Sequence, residues 1–239
     1  MKLAITQPNY LPWLGFFDLL DETDLWVVLD NVQLSKQSFQ VRNRVKAPDD
    51  SVTWLTVSTR SCPLRTLLNA VRLADSDWPL RHWRKIEDRY RRAAHFDELA
   101  PFLGDLLSPR EDESTLARYN ARVVRELCGV LGLAVETRVA SDLVPELQGT
   151  AEEKVLALCK VVGPTSYYNS RRGVEAGLYR PEAFADAGLR LFKQDYQHPT
   201  YRQQGHTFRS HLSVVDLLLN EGSAALSCLR QGRRWVEMT

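Results

Sequence analysis

The sequence predicts an α/β protein with a Rossmann-like, mostly parallel sheet that carries a helical insertion. Three observations predict it. Short continuous apolar runs near the N-terminus, Leu3–Ile5 and Leu25–Leu29, read as strands covered on both faces. Strand and helix patterns alternate at both ends of the chain, and a purely helical block at about residues 79–132 lies between them. The 239 residues fit a single domain over 1–239, large enough to fold without a disulfide or a structural metal.

In chain order, Pro8 and Pro12 close off the first strand, and Trp13–Leu20 (WLGFFDLL) follows as a short apolar helix. Val52–Val57 alternates and is rich in β-branched residues, which predicts a third strand after Leu25–Leu29; Ala70–Leu73 is a fourth. From Trp78 the pattern turns helical. Leu80, Trp83, Ile86, Glu87 and Tyr90 recur at helical spacing in Pro79–Tyr90, and helices continue over Phe96–Leu107 and Ser114–Leu131. Asp112, Glu113 and Ser114 supply acidic and capping residues, and Gly132 a stop. A strand at Val135–Val139 precedes a helix at Thr150–Val162 that opens Thr-Ala-Glu-Glu. Then come a strand at Ser166–Tyr168, a helix at Pro181–Ala187 with proline in its first turn, and a last strand at Leu189–Phe192. A polar loop from Gln194 to Ser210 leads to a final helix, Leu212–Leu219, ended by Asn220-Glu221-Gly222.

The apolar content of 44% is that of a globular protein, and the net charge of +1 carries no polyanion signal, so no nucleic-acid partner is expected. Most of the 31 cationic residues are arginine, a bias that follows from GC-rich coding and also supplies planar forks for carboxylate or phosphate. Cys62, Cys128, Cys159 and Cys228 are far apart without C-x-x-C spacing, which argues against a zinc site or redox pair; Cys128 and Cys159 fall in apolar helical runs. The N-terminus lacks a signal-peptide pattern and no run approaches the ~20 apolar residues of a membrane span, so a cytoplasmic protein with reduced thiols and no membrane partner is expected.

The blocks ITQPNYLPWLGFFDLL, DLWVVLDNVQLSKQSFQVRNRVK, WLTV, YYNS, DYQHPTYRQ and LSVVDLLLNEG occur in this order from residue 5 to residue 222. In them the chain resembles the WbqC-like family. The resemblance implies a place in surface-polysaccharide or specialised-metabolite pathways rather than a particular reaction. Many members carry His where this chain has Thr6, so any acid–base role of that His must be reassigned or abandoned here.

Polar residues at predicted strand ends are the site candidates, because ligands of open α/β sheets bind beyond the carboxyl ends of strands. Gln7, Asn9 and Tyr10 follow the first strand and offer neutral hydrogen bonds, or else cap a proline-rich turn. Asp30, Asn31 and Gln33 follow the second; Asp30 is the carboxylate among them and the candidate general base. Lys36, Arg42 and Arg44, with Asn43 between the arginines, form the anion side. His198, in the polar loop, is the second catalytic candidate, with Tyr201 beside it. His206 and His211 complete an H-x7-H-x4-H series that matches no metal pattern, so no metal is expected. Ser213 and Asp216 fit a capping box in form, with Asp216 a further candidate ligand; Tyr168, Asn169 and Asn220 are lesser ones. The tryptophans fall inside apolar patterns and read as core.

There is no P-loop, G-x-G-x-x-G, G-x-S-x-G or H-E-x-x-H. The expectation is a biosynthetic enzyme without cofactor, a transferase or cyclase. It would act by group transfer or intramolecular substitution on a phosphorylated, sulfated or carrier-bound small molecule. The alternatives are a nucleotidyl-transferase-like enzyme, faintly indicated by the Pro12-Trp13-Leu14-Gly15 turn but lacking both histidines of that superfamily's motif, and a non-catalytic metabolite-binding protein.

Overall fold

The computed structural model describes residues 1–35 and 37–239. The chain begins β1 (Lys2–Thr6), α1 (Leu14–Glu22), β2 (Leu25–Val28), β3 (Arg42–Lys46) and β4 (Val52–Thr56). The helical block is α2 (Trp78–Tyr90), α3 (Phe96–Leu107) and α4 (Leu116–Leu131). Then come β5 (Glu136–Val139), α5 (Ala140–Leu143), α6 (Ala151–Val162), β6 (Ser166–Asn169), α7 (Arg171–Glu175), α8 (Pro181–Asp186) and β7 (Arg190–Gln194). The chain closes with α9 (Val214–Glu221), α10 (Ala225–Arg230) and β8 (Trp235–Met238).

Among the described residues, six strands form one sheet in the order β5-β2-β1-β6-β7-β8, and only the β7–β8 pairing is antiparallel. The chain runs from β1 to one edge through β2 and β5, then crosses back to β6. The topological switch therefore falls between β1 and β6. The pleat sends alternate residues to two separate cores. Ala4, Trp26, Val28 and Tyr168 pack toward α1, the helical block and α9. Leu3, Ile5, Leu25, Val27 and Tyr167 pack toward α6 and Phe184 of α8. Both faces are covered, which is why β1 and β2 read as unbroken apolar runs rather than alternating ones.

Helix ends follow their local chemistry. Thr150 and Glu153 form a reciprocal capping box at the start of α6, and Gly163 ends it in the left-handed region (φ 69°). Gly132 ends α4 in the same way, but its N-cap is Thr115, not Ser114; Glu113 turns instead toward Arg122.

Several expected elements are placed differently. Val52–Val57 does form a strand, β4, but it pairs with β3 in a separate hairpin and never joins the main sheet. Ala70–Leu73 is not a strand: a 3₁₀ turn at Leu68–Ala70 leads into isolated bridges at Arg72 and Leu73. Leu189–Phe192 lies in β7 but is not the last strand. The C-terminus returns as β8, with Arg190 gripping Glu237 through two hydrogen bonds. In α2 the buried positions are Trp78, His82, Ile86 and Tyr90, one turn apart, while Leu80 faces out. No helix among the described residues is long and apolar enough to cross a membrane.

His82 enters the core as a neutral ring. Its Nδ1 lies 2.8 Å from the Tyr10 hydroxyl, and Trp78 stands edge-on at 5.2 Å. Burial, reinforced by nearby Lys85 and Arg81, pushes its pKa down from 6.5 to about 4. The unfolded chain takes up this proton below its ordinary pKa of 6.5, whereas the fold resists until about pH 4. Stability therefore falls as pH drops across that window, by at most about 3 kcal/mol from this group. His82→Gln, which keeps an acceptor but does not titrate, should show a flatter urea-unfolding free energy between pH 6.5 and 4 than the wild-type protein.

Candidate active site

The parallel strands end on one edge, and the residues leaving β1 and β2 emerge side by side because Thr6 pairs with Val28. The structure engages most of them inside the fold. Tyr10 is fully buried, its ring against Trp78 and Tyr119, so it belongs to the core and not to a substrate site. Gln7 accepts from the amide of buried Gln40. Asn9 stands half-buried beside it. Asn43, expected to touch substrate, is 1% exposed and gives its amide to the Leu11 carbonyl at 2.6 Å. Leu11 itself sits in the left-handed region (φ 42°), which costs a non-glycine residue about 1–2 kcal/mol. Gln33 is exposed and makes only a backbone bridge to Leu67. Thr6 accepts the Trp26 indole N–H at 2.8 Å. Lys36 lies outside the described residues.

Asp30 differs from these. It is buried beyond the end of β2, where Oδ1 accepts the Ser141 N–H at 3.0 Å and Oδ2 accepts the Ser141 hydroxyl at 2.6 Å. Those bonds cap the short helix α5, and a carboxylate has lone pairs left for a ligand. It also lines a cleft of about 400 Å³. One wall is Val28 and Asp30 with Thr137, Val139, Ser141 and Asp142; the other is α4, presenting Ala117, Arg118, Ala121 and Arg125. Asn69 lines it too, and its N–H holds the Asp30 carbonyl at 2.9 Å. Asp112 and Glu113 also border the cleft, and the charge of Glu113 is met by buried Arg122 at 2.6 Å. Next to Asp30, Asn31 gives its amide to the Val144 carbonyl and leaves Oδ1 buried without a partner among the described residues. The cleft lies one strand away from the switch point between β1 and β6.

His198 stands elsewhere. It follows β7, which β1 and β6 separate from β2, and it shares no neighbour with Asp30. The expected Asp30–His198 pair does not assemble. Its Nδ1 donates to the Pro199 carbonyl at 2.8 Å, so Nε2 carries the lone pair, buried and without a partner among the described residues. The ring packs among Trp13, Tyr201, Phe208 and His211, and burial together with His211 lowers its pKa. Gly15 permits this cluster, since a Cβ there would fall 2.3 Å from the Trp13 ring.

Arg42 and Arg44 belong to this second region. Their guanidinium carbons lie 4.3 and 5.5 Å from the Trp54 ring, Arg44 donates to the His211 carbonyl, and neither lines the cleft. The polar loop is fastened to the β3–β4 hairpin rather than closing over the strand ends. Buried Lys46 donates to the carbonyls of Gln204 and Thr207 and holds Asp50 well below the usual carboxylate range.

Ser213 caps α9, but Asp216 does not complete a capping box. Asp216 is 1% exposed and accepts the hydroxyls of Tyr90 and Tyr201 and the amide of Gln203, at 2.7 to 2.8 Å. Asn220 lies inside α9 and donates to the Asp216 carbonyl. Tyr168 stacks on Phe192, and Asn169 accepts the Ser170 N–H. Asp216 and Tyr201 are thus joints of the fold. Among the described residues, no three His, Cys, Asp or Glu side chains gather as a metal site.

The cleft residues the sequence reading passed over are Arg118, Arg125, Ser141 and Asp142. One signal was available: Ala117, Arg118, Ala121 and Arg125 share a face of a predicted helix, and that face alternates small and cationic residues.

Fold and strand-end cleft define an α/β protein with a cavity of charged lining beyond its parallel strands. The chain matches the model of the WbqC-like protein family over residues 7–228 and belongs to that family. It is 32% identical over 236 residues, 98% of this chain and 99% of the other, to a protein of Mycobacterium tuberculosis (strain ATCC 25618 / H37Rv) that bears the name Uncharacterized protein Rv1507c. No solved structure matches it.

If Asp216 serves the fold, Asp216→Ala leaves two buried hydroxyls and the half-buried Gln203 amide unmet and should cost at least about 2 kcal/mol in urea unfolding, with Tyr201→Phe costing about 1 kcal/mol. A ligand-binding Asp216 would instead leave stability nearly unchanged.

Proposed function

We propose that the protein is a small-molecule biosynthetic enzyme whose chemistry takes place in the Asp30 cleft. The observation that carries this reading is a carboxylate fixed at the wall of a cavity of about 400 Å³ beyond the strand ends. That volume suits a metabolite, and ligands of such sheets bind at this edge. Membership of the WbqC-like family supports a biosynthetic role.

The reaction is group transfer or intramolecular substitution. Asp30 accepts the proton of an attacking N–H or O–H as that atom bonds to the electrophilic carbon. The bond from that carbon to a phosphate or sulfate breaks, and its electron pair leaves with the anion. Arg118 and Arg125, on the facing wall, receive the departing charge. This assigns the anion role to α4 and withdraws it from Arg42 and Arg44. His198 has no part in it. The chain's own residues supply these functions, in the cytoplasm, where the free cysteines stay reduced.

Thermal-shift screening of the wild-type protein against nucleotides, nucleotide-sugars and phosphorylated or sulfated amino metabolites finds the ligand; turnover of that ligand is then measured. Asp30→Asn should lower turnover about 100-fold or more while the ligand still binds. An Asp30 that only caps α5 would give a lower melting temperature with turnover per folded molecule unchanged, and the reading would be wrong.

A further inference from the structure

The cleft walls carry opposite charges that do not meet. Asp30 and Asp142 stand on the wall built by β2 and α5, Arg118 and Arg125 on the wall built by α4, and Asp112 borders the cleft just before α4, leaving the arginines to outnumber it on that side. Among the described residues neither arginine pairs with any carboxylate, and neither Asp30 nor Asp142 with any cation, whereas buried Arg122 and Asp18 are both paired. Glu113, the acid nearest to α4, cannot serve the arginines, because Arg122 takes both of its oxygens at 2.6 and 3.0 Å.

The spacing on α4 keeps the walls apart yet within a small molecule's reach. Arg118 and Arg125 are seven residues apart, hence on one face and about 10 Å apart along the axis. Ala117 and Ala121, on the same face, leave the wall low between them. A neutral ligand would leave both sets of charges unanswered. A purely anionic ligand would face Asp30 and Asp142, and a purely cationic one would face the arginines.

We infer that the cleft takes an amino-bearing anion, a small molecule with an ammonium group and a phosphate or carboxylate on one short frame. This rests on the reading of the Asp30 cleft as the active site. The ammonium lies against Asp30 and Asp142, and the anion against Arg118 and Arg125. If the amine is also the nucleophile, the ammonium first yields a proton to Asp30, and the freed lone pair then attacks the electrophilic carbon as that carbon's bond to phosphate or sulfate breaks and the electron pair leaves with the anion.

Three commercial probes separate the terms by calorimetry on the full chain. O-phospho-L-serine carries both groups, 3-phosphoglycerate replaces the amine with a hydroxyl, and L-serine lacks the phosphate. O-phospho-L-serine should bind at least about tenfold more tightly than either of the others. Arg118→Ala and Arg125→Ala should erase its advantage over L-serine. Asp142→Asn, at an exposed position that leaves the α5 cap intact, should erase its advantage over 3-phosphoglycerate, as should Asp30→Asn. Equal binding of O-phospho-L-serine and 3-phosphoglycerate, or no binding of O-phospho-L-serine at millimolar concentration, overturns the inference. The two readings fail separately: an amine-free substrate whose turnover needs Asp30 would retire the ligand class and keep the cleft. Turnover indifferent to Asp30→Asn would retire the cleft itself.

Discussion

The fold hangs on a buried strap, residues 7–12, whose backbone must find hydrogen-bond partners away from water. Two prolines, Pro8 and Pro12, remove two of its donors, and burial of Pro8, Tyr10 and Leu11 removes the solvent, so its carbonyls need donors from elsewhere. Each comes from a different part of the chain. Asn120 of α4 donates to the Pro8 carbonyl, Asn43 of β3 to the Leu11 carbonyl, and the Val214 N–H of α9 to the Pro12 carbonyl, while the Tyr10 N–H reaches the Phe39 carbonyl. One segment thereby ties the sheet, the hairpin, the helical block and the C-terminal helix together. An unmet buried polar group costs about 1–3 kcal/mol, so these side chains are fixed by the strap's needs.

The same strap sets the cleft. Asn120 bonds to both Pro8 and Gln40, which fixes the rotation of α4 about its axis. Arg122, two residues on, is clamped by Glu113 and by the carbonyls of Leu106 and Ser108. With those positions facing inward, Ala117, Arg118, Ala121 and Arg125 line the cavity opposite Asp30. The wall across the cavity is equally fixed, since Asp30 is bonded to Ser141 and Asn69. Rigid walls held by interior bonds are what a binding site needs in order to spend little energy on ordering itself.

The parts of this structure legible in the sequence are those governed by local pattern. The β1 and β2 runs, the Thr-Ala-Glu-Glu opening of α6 and the glycine stop of α4 needed only neighbouring residues to be read. Asp30 stood out for the same reason, as a carboxylate at the end of an apolar run. The roles of Tyr10, Asn43 and Asp216 were not legible, because each is decided by a partner far along the chain: His82, Leu11 and the Tyr90–Tyr201 pair. A polar residue at a strand end looks the same in one dimension whether it serves a ligand or a buried carbonyl. The facing of Arg118 toward Asp30 across 88 positions is likewise a product of topology. Strand β8 escaped notice because an edge strand of half-exposed residues lacks the apolar run that marked β1.

The charges buried in this fold are paired or hydrogen-bonded. Asp18 is fully buried and meets both Arg233 and Gln194; Glu113 meets Arg122; Lys46 meets Asp50 and two carbonyls; Asp216 meets three donors. Desolvation leaves no choice in the interior, since a lone charge there costs several kcal/mol. Where water still reaches, unmet charges persist cheaply, and rigid walls keep them from collapsing onto one another. Arg42 and Arg44 also lack carboxylate partners among the described residues, yet they lie on the Trp54 ring, which answers part of their charge. Arg118 and Arg125 have no such answer, and they face two equally unmet carboxylates across a cavity of metabolite size. On the proposed reading, charge left open on both sides of one rigid gap is complementary to a third body, and that reading moves the weight of the site from the conspicuous polar words at the N-terminus to the face of α4.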